Sequence, residues 1–186
     1  MTGYLLFGAG YIAYMTFMIA WLREAGGSPE MQAAFWSVIG LAAMATQWIW
    51  GAVLDRLRHG HGFGLLMIVT ALGALLPLAW TAPVAILASA AIFRSAFCAV
   101  VATTTVFVRR NMARADWPRA IGALTVAFGI GQTLGPLATG ILGDRAGGIT
   151  AGLWLSAGWL VVGALIGVLQ RDAAPGKKMN PLPSPH

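Results

Sequence analysis

Long apolar runs broken only by short polar clusters set the pattern of this chain. A helix crossing the ~30 Å hydrocarbon layer of a membrane needs about 20 mostly apolar residues. Six such stretches occur: Tyr4–Leu22, Met31–Leu54, Phe63–Trp80, Pro83–Val108, Ala120–Leu142 and Ile149–Leu169. The pattern therefore predicts an all-α integral membrane protein, one six-helix bundle over residues 1–170 with short loops. The Pro-containing tail, Arg171–His186, is expected to be disordered. The first stretch lacks the marks of a cleaved leader: no Lys or Arg precedes it, and no small-x-small site follows Trp21.

Composition removes the soluble alternatives. Only 10% of the 186 residues are charged and 58% are hydrophobic, whereas a soluble domain carries about 25% charge. The 24 glycines are in keeping with membrane helices. A single cysteine, Cys98, excludes a disulfide framework and a Cys-based zinc site. His59 and His61 lie in a loop, so neither a metal site nor a cofactor is expected.

Charge then orients the spans. Arg56, Arg58, His59 and His61 lie between spans two and three, and Arg109, Arg110, Arg114 and Arg119 between four and five. The tail adds Arg171, Lys177 and Lys178. The opposite side holds Arg23 and Arg145 with Glu24, Glu30 and Asp144. Nine Lys/Arg against two is a positive-inside asymmetry that puts both termini in the cytoplasm. Because these clusters alternate with the spans, topology accounts for them, and no nucleic-acid partner is expected.

Span two ends Gly51-Ala-Val-Leu-Asp55-Arg56 and span five ends Gly140-Ile-Leu-Gly-Asp144-Arg145. Both read G-x-x-x-D-R. They fall on the middle members of two successive three-helix groups and, by the alternation of spans, on opposite membrane faces. A 3+3 inverted repeat predicts this placement; capping of two helix ends by Asp-Arg is the alternative. Span three holds only Thr70 as an uncharged polar side chain, and span six, after its start, only Ser156. A helix apolar all round faces lipid or core. The third helix of each group is thus expected to be peripheral, with the other four lining an interior.

These residues resemble the major facilitator superfamily. Gly51-x-x-x-Asp55-Arg56 followed by Arg58 is similar to its cytoplasmic loop motif, and Gly131-Gln132-Thr133-Leu134-Gly135-Pro136 to the G-x-x-x-G-P motif of its fifth helix. Arg94 falls on the fourth helix, where the superfamily often has an arginine, with Phe97-Cys98 in place of the following Gln-Gly pair. More narrowly, LLFGAGYIAYMTFMIAWLR, LTVAFGIGQTLGPLATG and FVRRNM resemble the C-terminal six helices of the YbfB/YjiJ-type branch. The resemblance implies half of a twelve-helix secondary transporter in a bacterial inner membrane, moving a small-molecule substrate by alternating access. The chain is expected to be a fragment, Met1 an internal or misassigned start. Its partner would be a missing N-terminal six-helix half or a second copy.

Among residues that could carry chemistry, Arg94 is the one charge well inside a span. At about 11 residues from the start of its helix it lies roughly 16 Å deep, near the midplane. A charge there costs about 2.5–3.5 kcal/mol even on the lenient insertion scale and marks a functional position by default. It is either an anion-attracting group or a structural arginine. Tyr11 and Tyr14, neighbours on one helix surface, either line a solute cavity or bond between helices; the same alternatives hold for the amides of Gln47 and Gln132. Gly131, Gly135 and Pro136 are candidates for close packing and gating, beside Gly51, Asp55, Arg56, Gly140, Asp144 and Arg145 of the two boxes. No Asp or Glu lies inside a span, so no proton-relay carboxylate is expected here. An intramembrane serine protease needs a histidine base in the membrane, and all three histidines lie in a loop or at the C-terminus. The chain is therefore not expected to be an enzyme; a homodimerising half-transporter and a non-transporting scaffold remain as alternatives to the transporter half.

Overall fold

A computed structural model describes residues 1–56, 61–145 and 148–169. The expectations for Arg58 and His59, for the side chains of Asp55, Arg56, His61 and Arg145, and for the tail lie outside the described residues. The regular elements of the described residues are all helical: α1 Thr2–Glu24, α2 Pro29–Arg56, α3 His61–Ala79, α4 Pro83–Asn111, α5 Trp117–Arg145 and α6 Gly148–Leu169, with a short 3-10 turn, η1, at Arg114–Asp116. Each apolar stretch lies inside one of these helices, except that the third extends to Trp80, one residue past the end of α3. The helices run past most of the stretches by one to three residues because polar residues continue the backbone bonding into the headgroup region. All six are long and apolar enough to cross a membrane.

Local chemistry accounts for the boundaries. Pro83 occupies the first turn of α4, where its missing N–H costs nothing. Gly26, at φ +79°, turns the chain after α1, and the Gly27 N–H bonds back to the Leu22 carbonyl at 2.8 Å. Pro77 and Pro136 sit inside α3 and α5 without dividing either helix.

Packing centres on α1 and α4. Helix α1 packs on α5 and α6, and α4 on α2 and α3, while α3 and α6 pack on each other. Exchanging α1–α3 for α4–α6 turns the α1–α5 pair into α4–α2 and the α1–α6 pair into α4–α3. This correspondence is compatible with an inverted repeat. The α5–α6 pairing lacks an equally strong counterpart among the described residues.

The two corresponding crossings share their chemistry. At α3–α4 the Ser89 hydroxyl donates to the Gly73 carbonyl at 2.6 Å; at α1–α6 the Ser156 hydroxyl donates to the Gly10 carbonyl at 2.6 Å. In a membrane there is no water to satisfy such groups, so helices bond across small residues that let backbones approach. A Cβ on Gly73 would come 2.8 Å from the Phe93 nitrogen, and one on Gly10 2.8 Å from the Ser156 carbonyl oxygen.

The expected peripheral placement of the third helices changes in one respect. Helices α3 and α6 are each about half buried, backing α4 and α1, with apolar residues such as Leu72, Trp154 and Leu165 on their open sides. The least covered helices are α2 and α5. A helix apolar on every side suits core and lipid alike, and here each of the two does both.

Candidate functional site

The tyrosines of α1 meet the aromatic residues of α4 in the centre of the bundle. Tyr4, Phe7, Tyr11 and Tyr14 follow one another at intervals of three or four and so share one face of α1. On α4, Phe93 and Phe97 are spaced the same way, and Phe128 reaches in from α5. Tyr11 stacks on Phe97 with ring centres 3.9 Å apart, and Tyr14 on Phe93 at 4.0 Å; Tyr11 and Phe93 lie 5.9 Å apart, tilted by only 11°. Phe128 completes the group, 5.2 Å from Tyr4 and 5.7 Å from Phe7.

Arg94 stands at the edge of this stack. Its Nη1 donates to the Tyr11 hydroxyl at 3.1 Å, and its guanidinium carbon lies 4.8 Å from the centre of the Phe97 ring. The side chain is only half-buried, yet its Nε is buried and donates to nothing among the described residues. A buried donor without an acceptor costs about 1–3 kcal/mol, more when the group is charged. Arg94 is thus held by one neutral oxygen and one ring, with hydrogen-bonding capacity left over. Cys98 and Val101, one and two turns further along the same face, are partly or largely open.

The two mid-span tyrosines differ in role. Tyr14 is fully buried, and its hydroxyl lies 2.5 Å from that of Ser89. Since Ser89 spends its proton on the Gly73 carbonyl, Tyr14 is the donor of that pair. The chain Tyr14–Ser89–Gly73 ties α1, α4 and α3 together, an interhelical role. Tyr11 instead accepts from Arg94 and belongs to the site. Gln47 lies on an exposed face of α2 and Gln132 half-buried on α5; neither joins the aromatic group.

The glycine motifs separate as well. On α5, a Cβ at Gly131 would fall on the Leu5 carbonyl oxygen of α1, and one at Gly135 on the Ala9 carbonyl oxygen. From the other side, a Cβ on Gly8 would come 2.5 Å from the Phe128 carbonyl oxygen. These residues make α1 and α5 the tightest crossing of the bundle and so set how Phe128 is presented to Tyr4 and Phe7. By contrast, a Cβ at Gly51 would meet nothing within 4 Å, and one at Gly140 only the Phe17 ring at 3.9 Å. Asp144, at the end of α5, is exposed.

Sequence reading singled out Arg94 and Tyr11 but passed over Phe7, Phe93 and Phe128. The available signal was the repeated three- and four-residue spacing of aromatic residues on α1, matched by Phe93 and Phe97 on α4.

A family profile described as uncharacterised MFS-type transporter YbfB matches residues 1–168. No curated protein and no solved structure matches the chain. Because the profile runs from the start of α1 almost to the end of α6, and the helices it covers are six membrane-length spans, the chain belongs to the YbfB-type family of major facilitator transporters.

Proposed function

We propose that this chain lines one side of the solute path of a secondary transporter that works by alternating access, as its C-terminal six-helix half. Arg94 carries this reading. A guanidinium near the membrane midplane is retained only where something pairs with it, and α4 supplies no acid of its own. Its partner is the anionic group of a passing solute or a carboxylate of a completing six-helix body. The Tyr11–Phe97 stack beside it gives an organic solute an apolar wall. The thinly covered α2 and α5 leave room for the completing body, an N-terminal half or, in the same geometry, a second copy of the chain. A scaffold without a path leaves the spare donor of Arg94 unexplained.

Cys98, the only cysteine, tests this without knowledge of the solute. It lies one turn from Arg94 on the same face. In intact membranes, a charged, membrane-impermeant methanethiosulfonate reagent should label Cys98. The same reagent should fail on a cysteine at Leu72, an exposed position of α3, in a Cys98→Ser background. If Cys98 reacts only with a membrane-permeant maleimide, its face meets lipid and the path does not run there.

Orientation follows from charge. Reporter fusions at Ala115, between α4 and α5, and at the C-terminus should read cytoplasmic, and one at Gly27, between α1 and α2, external. An external C-terminus would contradict the proposed topology.

A further inference from the structure

The connection between α4 and α5 gathers chemistry that a solute path does not use. Arg109 and Arg110 end α4, Arg114 opens η1, and Arg119 lies in the first turn of α5. All four are exposed, and Asp116 is the single acid among them. Trp117 begins α5, half-buried, and its indole N–H donates to the Met112 carbonyl at 3.1 Å. That bond fixes the ring over the connection. The guanidinium carbons of Arg109 and Arg114 lie 5.3 Å and 5.6 Å from the ring centre, so they are no more than about 11 Å apart.

Both cations gain from the ring's negative face, yet they repel each other. An oxyanion bound at this corner would offset that repulsion, and guanidinium forks match phosphate oxygens geometrically. The surroundings narrow the choice of oxyanion. The corner sits where two membrane-length helices leave the hydrocarbon, at the level of the headgroup phosphates. Tryptophan is enriched at that level because its ring is apolar and its N–H is polar.

We propose that the Arg109–Trp117–Arg114 corner binds the phosphate group of an anionic phospholipid such as phosphatidylglycerol. Arg110 and Arg119 add to the positive field but do not touch the ring. The site is independent of the solute path and requires only that α4 and α5 span the bilayer.

The test is native mass spectrometry of the purified chain released from phosphatidylcholine nanodiscs doped with phosphatidylglycerol. Thermal stability is followed in parallel. The parent chain should retain phosphatidylglycerol in preference to phosphatidylcholine and melt higher as its fraction rises. Each basic residue near an anionic surface contributes about fivefold in affinity, so Arg109→Gln combined with Arg114→Gln should weaken retention roughly 25-fold. Its melting temperature, compared with its own value in pure phosphatidylcholine, should no longer rise with the phosphatidylglycerol fraction. Trp117→Leu should weaken retention while leaving every charge in place. Lys177→Gln with Lys178→Gln, which removes as much charge from the tail, should have no effect. Equal losses from the tail and corner variants would reduce the effect to general electrostatics and overturn the site. Full retention by the double arginine variant would overturn it too. If inorganic phosphate in pure phosphatidylcholine reproduces the stabilisation, the ligand is a soluble anion and the lipid assignment fails.

Discussion

Alanine at Gly131 or Gly135 is expected to destabilise the bundle by about 1–3 kcal/mol each, the usual cost of adding a methyl group to a packed interior. The upper end applies here, because the atoms in the way are the backbone oxygens of Leu5 and Ala9. A side chain can rotate aside, but these can move only if α1 and α5 separate. Alanine at Gly122 or Gly129 on the same helix meets nothing within 4 Å. There the substitution should be neutral or stabilising by up to about 1 kcal/mol, the difference in helix propensity. Thermal unfolding in detergent or nanodiscs of the four single variants compares the positions directly. A Gly131→Ala variant as stable as Gly129→Ala would contradict the close α1–α5 crossing.

Loss of transport on Arg94→Gln is the second large expected effect. Glutamine keeps hydrogen bonding to Tyr11 within reach but removes the charge. Removing one member of a desolvated charge pair costs about 2–5 kcal/mol, at least roughly 30-fold in affinity for an anionic partner. Electrogenic uptake by the chain reconstituted with the proposed N-terminal six-helix half, screened over small organic anions on a supported membrane, should therefore vanish in the variant. Membrane insertion and helix content should not change. Arg94→Lys should restore part of the signal, since an ammonium supplies charge without the planar fork. Normal uptake by the glutamine variant would make Arg94 structural and remove the solute assignment.

How far the sequence reaches can be judged from these residues. The spans were legible because the bilayer demands length and apolarity together, and both can be counted. Arg94 was legible because a lone charge contrasts with everything around it. Phe93 and Phe128 were not, since aromatic residues within apolar runs give no contrast in hydropathy; only the pairing of α1 with α4 and α5 reveals them as one group. The two candidate readings of Tyr14 and Tyr11 separated for a similar reason. Three residues apart on one helix, they differ only in what the neighbouring helices bring, Ser89 to one and Arg94 to the other. The G-x-x-x-G-P run shows the reverse: its glycines were visible, but the carbonyls of Leu5 and Ala9 that require them lie on a helix more than 100 residues away in the chain.

The partners of α1 also bear on the order of assembly. Of these six helices α1 is synthesised before the others, yet it packs mainly on α5 and α6. Helix α2, by contrast, packs mainly on α4. About 90 residues separate the end of α1 from the start of α5, which at about 5–20 residues per second is roughly 5–20 s of translation. During that interval the Gly8 face of α1 and the Gly10 carbonyl have no native neighbour. A chain arrested after α4 would therefore hold α1 only by its tyrosines, through the Tyr14–Ser89 bond and the Tyr11–Phe97 stack, with its glycine face still uncovered.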